Sequence, residues 1–96
     1  MLFHVTMTVR IPHDADPDHV GRLKAEEKAR CAELMRDGRW RHIWRVVGQY
    51  KNRSIFDVAD NAALHEILTG LPLFPFMDIE VEPLCRHPSS VRDDDR

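Results

Sequence analysis

Between Met1 and Leu84 the hydrophobic period switches from 2 to 3.6, returns to 2 for two successive runs, goes to 3.6 again and ends at 2. That order constrains the fold more than any other feature of the chain. Residues 2–11 alternate, with Phe3, Val5, Met7 and Val9 on one side and His4, Thr6, Thr8 and Arg10 on the other, as in a half-buried strand. Asp16 followed by Pro17 reads as an N-cap and a first-turn proline, and predicts a helix to about Asp37 with Gly38 beyond its end. A second strand is expected over Trp40–Lys51. One face would hold Trp40, His42, Trp44, Val46, Gly48 and Tyr50, and the other Arg41, Ile43, Arg45, Val47 and Gln49. Asn52-Arg53 would connect it to a third strand, Ser54–Val58, and Asp60 or Asn61 would cap a second helix whose Ala63, Leu64, Ile67, Leu68 and Leu71 face inward. Pro72 and Pro75 bracket a loop, and Phe76–Leu84 reads as the last strand.

The order β-α-β-β-α-β is the ferredoxin-like, split βαβ plan of an α+β protein: a four-stranded antiparallel sheet with two helices on one face. In a chain of 96 residues this leaves one domain, residues 1–84, and a polar tail, residues 85–96, expected to be irregular. Two helices cover only one sheet face, yet the second strand carries apolar side chains on both. The uncovered face is therefore expected to meet a second copy of the chain.

The remaining composition excludes several classes. A net charge of -2 argues against a nucleic-acid binder. No apolar run approaches the roughly 20 residues of a membrane span. The opening MLFHVTMTVR lacks the basic, apolar and cleavage regions of a secretory signal. Cys31 and Cys85 alone make no disulfide framework, and a reducing cytoplasm is expected. The six histidines are scattered, so neither a metal nor another cofactor is expected from the motifs present.

Glu27 is the most informative residue. The stripe Val20, Leu23, Cys31, Leu34 advances by helical steps with Glu27 in its middle, on the buried side. Desolvation there raises a carboxyl pKa, which suits a base that takes a proton and returns it. The plainer alternative is a headgroup that reaches solvent or pairs with Arg10 or Arg45. Tyr50, read as a buried phenol in need of a partner, is a candidate donor to a developing oxyanion. His42, on the same expected face as Trp40 and Trp44, is a donor, a substrate-orienting group or a satisfied core histidine. Trp40, Phe74 and Phe76 are candidate pocket walls, with core packing as the plain alternative. Arg86 and His87, in the unusual tail segment Cys85-Arg86-His87-Pro88, are candidates for gripping a carboxylate or for docking on a neighbouring subunit.

The strings MLFHVTMTV, WRHIWRVVGQY, SIFDV, ALHEIL and LPLFPFMDIEVEPLCRHPSS together resemble the muconolactone Δ-isomerase family along essentially the whole chain. That resemblance implies a dimeric α+β barrel of ferredoxin-like protomers, paired through their sheets, with five dimers forming a homo-decamer. It implies a cofactor-free 1,3-proton shift through a dienolate, which turns muconolactone, a small lactone carboxylate, into 3-oxoadipate enol-lactone in the catechol branch of the β-ketoadipate pathway. Glu27 falls within the family's Ala-Asp/Glu-Glu-Lys stretch, here Ala25-Glu26-Glu27-Lys28. Three competing readings share the scaffold: a chloromuconolactone dehalogenase, a cofactor-free monooxygenase or haem-degrading enzyme, and a non-catalytic ligand-binding protein. A carboxylate in mid-stripe argues against the last.

Overall fold

The structure is a computed structural model that describes residues 1–94. Its elements are β1 (Leu2–Val9), α1 (Pro17–Arg36), β2 (Trp40–Arg45), β3 (Lys51–Asp57), α2 (Asn61–Thr69), a short 3-10 turn (Phe74–Phe76) and β4 (Met77–Leu84). The four strands form one antiparallel sheet in the order β2-β3-β1-β4, so β1 lies inside, bonded to β3 on one side and β4 on the other. This is the expected ferredoxin-like arrangement.

Local chemistry sets the helix boundaries. The Asp16 carboxylate accepts from the Asp18 N–H at 3.2 Å, and Pro17 occupies the first turn, where its missing N–H costs nothing. Gly38 takes φ +86° just past α1, where only glycine is free of a Cβ penalty. Asp60, rather than Asn61, caps α2 by accepting from the Ala63 N–H at 2.8 Å. Both helices lie on one sheet face. Phe3, Val5, Met7 and Phe56 of the sheet form one core with Leu34 of α1 and with Leu64, Ile67 and Leu68 of α2.

The structure corrects the hairpin in two respects. First, β2 ends at Arg45, and the chain turns through residues 46–50. The Gln49 N–H donates to the Val46 carbonyl at 3.1 Å and the Val46 N–H to the Lys51 carbonyl at 3.0 Å. Asn52 and Arg53 are strand residues, not the connection. The alternation running on through Val46 and Val47 imitated a strand, but Gly48 takes φ +75° and Val47 is 93% exposed at the tip. Second, a β-bulge breaks the register of β2: Trp40 pairs with Phe56, but His42 pairs with Ile55. Arg41 is thus the extra residue, and every later side chain of β2 changes face. Trp40 points into the core at 1% exposure, whereas His42 and Trp44 lie on the uncovered face, stacked at a centroid distance of 5.2 Å.

The uncovered face is less apolar than expected. It carries Trp44, Ile55 and Leu84, but also His4, Thr6, Arg53 and Glu82. His4 pairs with Glu82 at 3.0 Å, and Arg53 donates to the Thr6 hydroxyl at 3.2 Å. Nothing lies within 4 Å of a Cβ built on Gly48, so a substitution there meets only the backbone penalty of the left-handed region. Gly48→Ala is expected to lower stability by about 1 kcal/mol in urea denaturation, with an unchanged m-value. An unaltered midpoint would show that the turn adopts another conformation.

Candidate active site

Glu27 sits near the middle of α1, one helical turn before Cys31. Its carboxylate accepts from the backbone N–H of Leu73 at 3.0 Å, which ties α1 to the chain entering the 3-10 turn before β4. Leu73 is 4% exposed, so this N–H has little access to water and the bond satisfies a group that burial would otherwise orphan. Among the described residues Glu27 is in no ion pair, with Arg10, Arg45 or any other cation. Burial pushes its carboxyl above the ordinary carboxylate range, and the Leu73 N–H pulls more weakly the other way. The Cys31 thiol is also raised, first by burial and then by the charge of Glu27.

Glu27 opens onto a cavity of about 430 Å³ between α1, the inner face of β2 and the β2–β3 turn. The volume suits a small organic ligand. Trp40, Ile43, Leu73 and Met77 supply apolar wall, Asn52 and Tyr50 polar atoms, and Lys24, Lys28 and Arg45 positive charge. Trp40 Nε1 is buried and, among the described residues, lacks a hydrogen-bond partner. The arrangement is a single carboxylate of raised pKa, half enclosed by apolar side chains, under a cationic rim. It can exchange a proton with an acidic C–H of an anionic ligand.

The fold brings only some of the expected residues together. Glu27, Tyr50 and Trp40 line one cavity. Tyr50 stands at its rim, 41% exposed, and is not the buried phenol expected from the sequence. His42 does not join them, because the bulge turns it to the other side of the sheet. There it lines a separate cavity of about 360 Å³ with Arg86 and His87. Within one protomer, Arg86 and His87 are therefore on the face opposite Glu27. Arg86 donates to the Ser90 carbonyl at 3.1 Å and lies 3.8 Å from Asp93, while the His87 ring accepts from the Ser89 N–H at 3.0 Å. Phe74 and Phe76 belong to the 3-10 turn. They do not line the Glu27 cavity, and Leu73 and Met77 stand there instead.

Sequence reasoning offered Arg45 only as a possible ion-pair partner of Glu27, and missed Lys24, Lys28, Asn52 and the Leu73 N–H. Helical spacing had a signal for Lys24, which is three residues before Glu27, on the same side of α1, although it reads as part of the wet face. Arg45 and Asn52 are facing partners across the hairpin, visible only once the turn is placed at residues 46–50. Among the described residues, no group of three or more His, Cys, Asp or Glu is arranged to hold a metal ion. No helix is long and apolar enough to cross a membrane.

Comparison with known proteins finds relatives along essentially the whole chain. The family model described as muconolactone delta-isomerase matches residues 1–90. The muconolactone Δ-isomerase of Pseudomonas aeruginosa is 59% identical over 96 residues, with both chains covered in full. Muconolactone Δ-isomerase 1 of Acinetobacter lwoffii is 61% identical over 95 residues, 99% of each chain. The crystal structure of muconolactone isomerase at 3.3 Å resolution superposes with a TM-score of 0.94 at 58% identity, covering all of both chains.

The raised pKa of Glu27 has a consequence for stability. A carboxyl whose pKa is higher folded than unfolded costs stability when ionised, and that cost disappears as pH falls through the folded-state value. Glu27→Gln, which retains a carbonyl acceptor for the Leu73 N–H, is expected to melt no lower than the parent protein at pH 7. Its advantage should shrink as the pH is lowered toward 4. A growing advantage at acid pH would contradict the desolvated carboxylate.

Proposed function

The chain belongs to the muconolactone Δ-isomerase family, and from that premise we propose that Glu27 is the base that moves the proton. The reaction is the conversion of muconolactone to 3-oxoadipate enol-lactone, in the catechol branch of the β-ketoadipate pathway. The ionised Glu27 removes the proton from the ring carbon that bears the acetate arm. The C–H electron pair enters the conjugated ring and gives a dienolate whose charge rests on the lactone carbonyl oxygen. The carboxylic acid so formed returns the proton to the carbon alpha to that carbonyl, which leaves the double bond between the ring carbons on the side of the arm. Proton and charge balance over the two steps, and the enzyme ends as it began.

The observation that carries this reading is Glu27 itself: a carboxyl of raised pKa, lining a small-molecule cavity, in a chain matched over its full length to isomerases of this substrate. Raising the pKa of a carboxyl brings it closer to the pH at which it works, which favours both losing and regaining the proton. Tyr50 is the proposed donor to the dienolate oxygen, from the rim of the same cavity, and Trp40 a proposed wall. His42, Arg86 and His87 reach such a cavity only if a neighbouring subunit brings them. Assembly of dimers into a homo-decamer is part of the proposal, supported by Trp44 at 58% and Leu84 at 41% exposure on the sheet face that no helix covers. A cytoplasmic setting is proposed as well, in keeping with Cys31 and Cys85 as free thiols.

The direct test is an ultraviolet assay of the purified protein with muconolactone and no added cofactor, run beside the 5-chloro lactone. Isomerisation of muconolactone without any added cofactor is expected, at a higher kcat/KM than turnover of the chlorinated lactone. Glu27→Gln should lower kcat by roughly 10²-fold or more while oligomer size and circular dichroism stay unchanged. The acid limb of kcat/KM should lie above about pH 4.3, where an ordinary glutamate titrates, because the base must be ionised and burial raises its pKa. Near-normal turnover by Glu27→Gln would remove Glu27 from the mechanism.

A further inference from the structure

The cavity holding Glu27 carries more positive than negative charge. Lys24, Lys28 and Arg45 line it against the single carboxylate of Glu27. Among the described residues none of these three cations is in an ion pair, whereas the tail's Arg86 lies 3.8 Å from Asp93 and donates to the Ser90 carbonyl. Two of the three lie against the same aromatic ring. The Arg45 guanidinium lies 5.3 Å from the centre of the Tyr50 ring, and the Lys24 ammonium lies 5.5 Å from the same centre. One aromatic ring therefore gathers two cations from different elements, α1 and β2. Among the described residues Arg45 makes one hydrogen bond, a long one of 3.4 Å to the Gln49 carbonyl, which leaves most of its donors unused.

Two like charges drawn to one ring repel each other, and an anion between them removes that repulsion. An arginine oriented by an aromatic face also presents its planar fork at low entropic cost, a match for a carboxylate. We propose that Arg45 and Lys24, gathered by Tyr50, are the subsite for the ligand's carboxylate arm, which fixes the lactone ring over Glu27. The proposal rests on the isomerase reading and deepens it. It assigns carboxylate recognition to the chain that carries the base, not to the tail. Arg45 and Lys24 are positioning residues here: they hold the end of the substrate that does not react, so their loss weakens binding in ground and transition states alike.

The experiment compares the free acid with its methyl ester, in turnover with muconolactone and in calorimetric binding of the saturated lactone acetate, which cannot isomerise. For the parent protein the acid is expected to bind about tenfold or more tighter than the ester. Arg45→Gln and Lys24→Gln should each raise KM for the acid, with kcat within about threefold, and the double variant should erase the preference for acid over ester. Arg45→Lys should restore part of it, and Arg86→Ala should leave it intact. Retention of the full preference by the double variant overturns the proposal, as does its loss in Arg86→Ala alone. The binding arm needs no turnover. Failure of the parent protein to isomerise muconolactone would count against the isomerase reading, while the acid-ester comparison would still test the subsite.

Discussion

A carboxylate placed in the buried stripe of a helix has to be given a partner, and the way this chain does so organises the rest of the site. Among the described residues Glu27 is in no ion pair. It takes one backbone N–H, that of Leu73, at 3.0 Å. That choice fixes α1 against the segment between α2 and β4, because the N–H belongs to a buried residue at the entrance to a 3-10 turn. It also leaves the carboxylate only partly compensated. A salt bridge would hold the carboxyl ionised well into the acid range and spoil it as a two-way proton carrier. A single neutral donor satisfies geometry while desolvation still dominates. On the proposed mechanism the same bond thus serves packing and reactivity.

Much of this was legible in the sequence because it rests on short-range rules. The switch of period from 2 to 3.6 and back located the helices and most of the strands. The Asp16-Pro17 pair located the start of α1, and the three- and four-residue steps of the stripe located Glu27 on its inner side. What failed is also specific. One extra residue at Arg41 inverted the faces of β2, so a pattern placing Trp40, His42 and Trp44 together joined side chains that the sheet separates. Alternation carries no mark of a bulge: a slip of one residue leaves the pattern intact and reverses its meaning. The tight turn failed for a related reason. Val46 and Val47 are good strand formers, and only the backbone at Gly48 reveals that the chain has reversed.

The bulge and the turn together make the site. With the strand ended at Arg45 and the turn closed over residues 46–50, Tyr50 and Arg45 come to the mouth of the cavity, and Asn52 comes to stand opposite Arg45. Without the extra residue, Trp40 could not face the core while Ile43 and Arg45 faced α1. The irregularities of this hairpin therefore shape the proposed site, in line with the general tendency of bulges to re-aim side chains.

The distribution of charge over the two sheet faces follows from the same geometry. On the uncovered face several charges are paired, His4 with Glu82, Arg41 with Asp57 and Asp94, and Arg86 with Asp93, while Arg53 donates to the Thr6 hydroxyl. In the Glu27 cavity they are not, and three cations face one carboxylate. Three cations gathered at the mouth of one concave site set up a positive local field that draws an anion toward it. The unmatched cavity therefore suits a small anionic ligand. An enzyme that moves one proton within such a molecule needs little more than this division: a base on one side, a fixed positive rim on the other, and a wall between them that admits the ring.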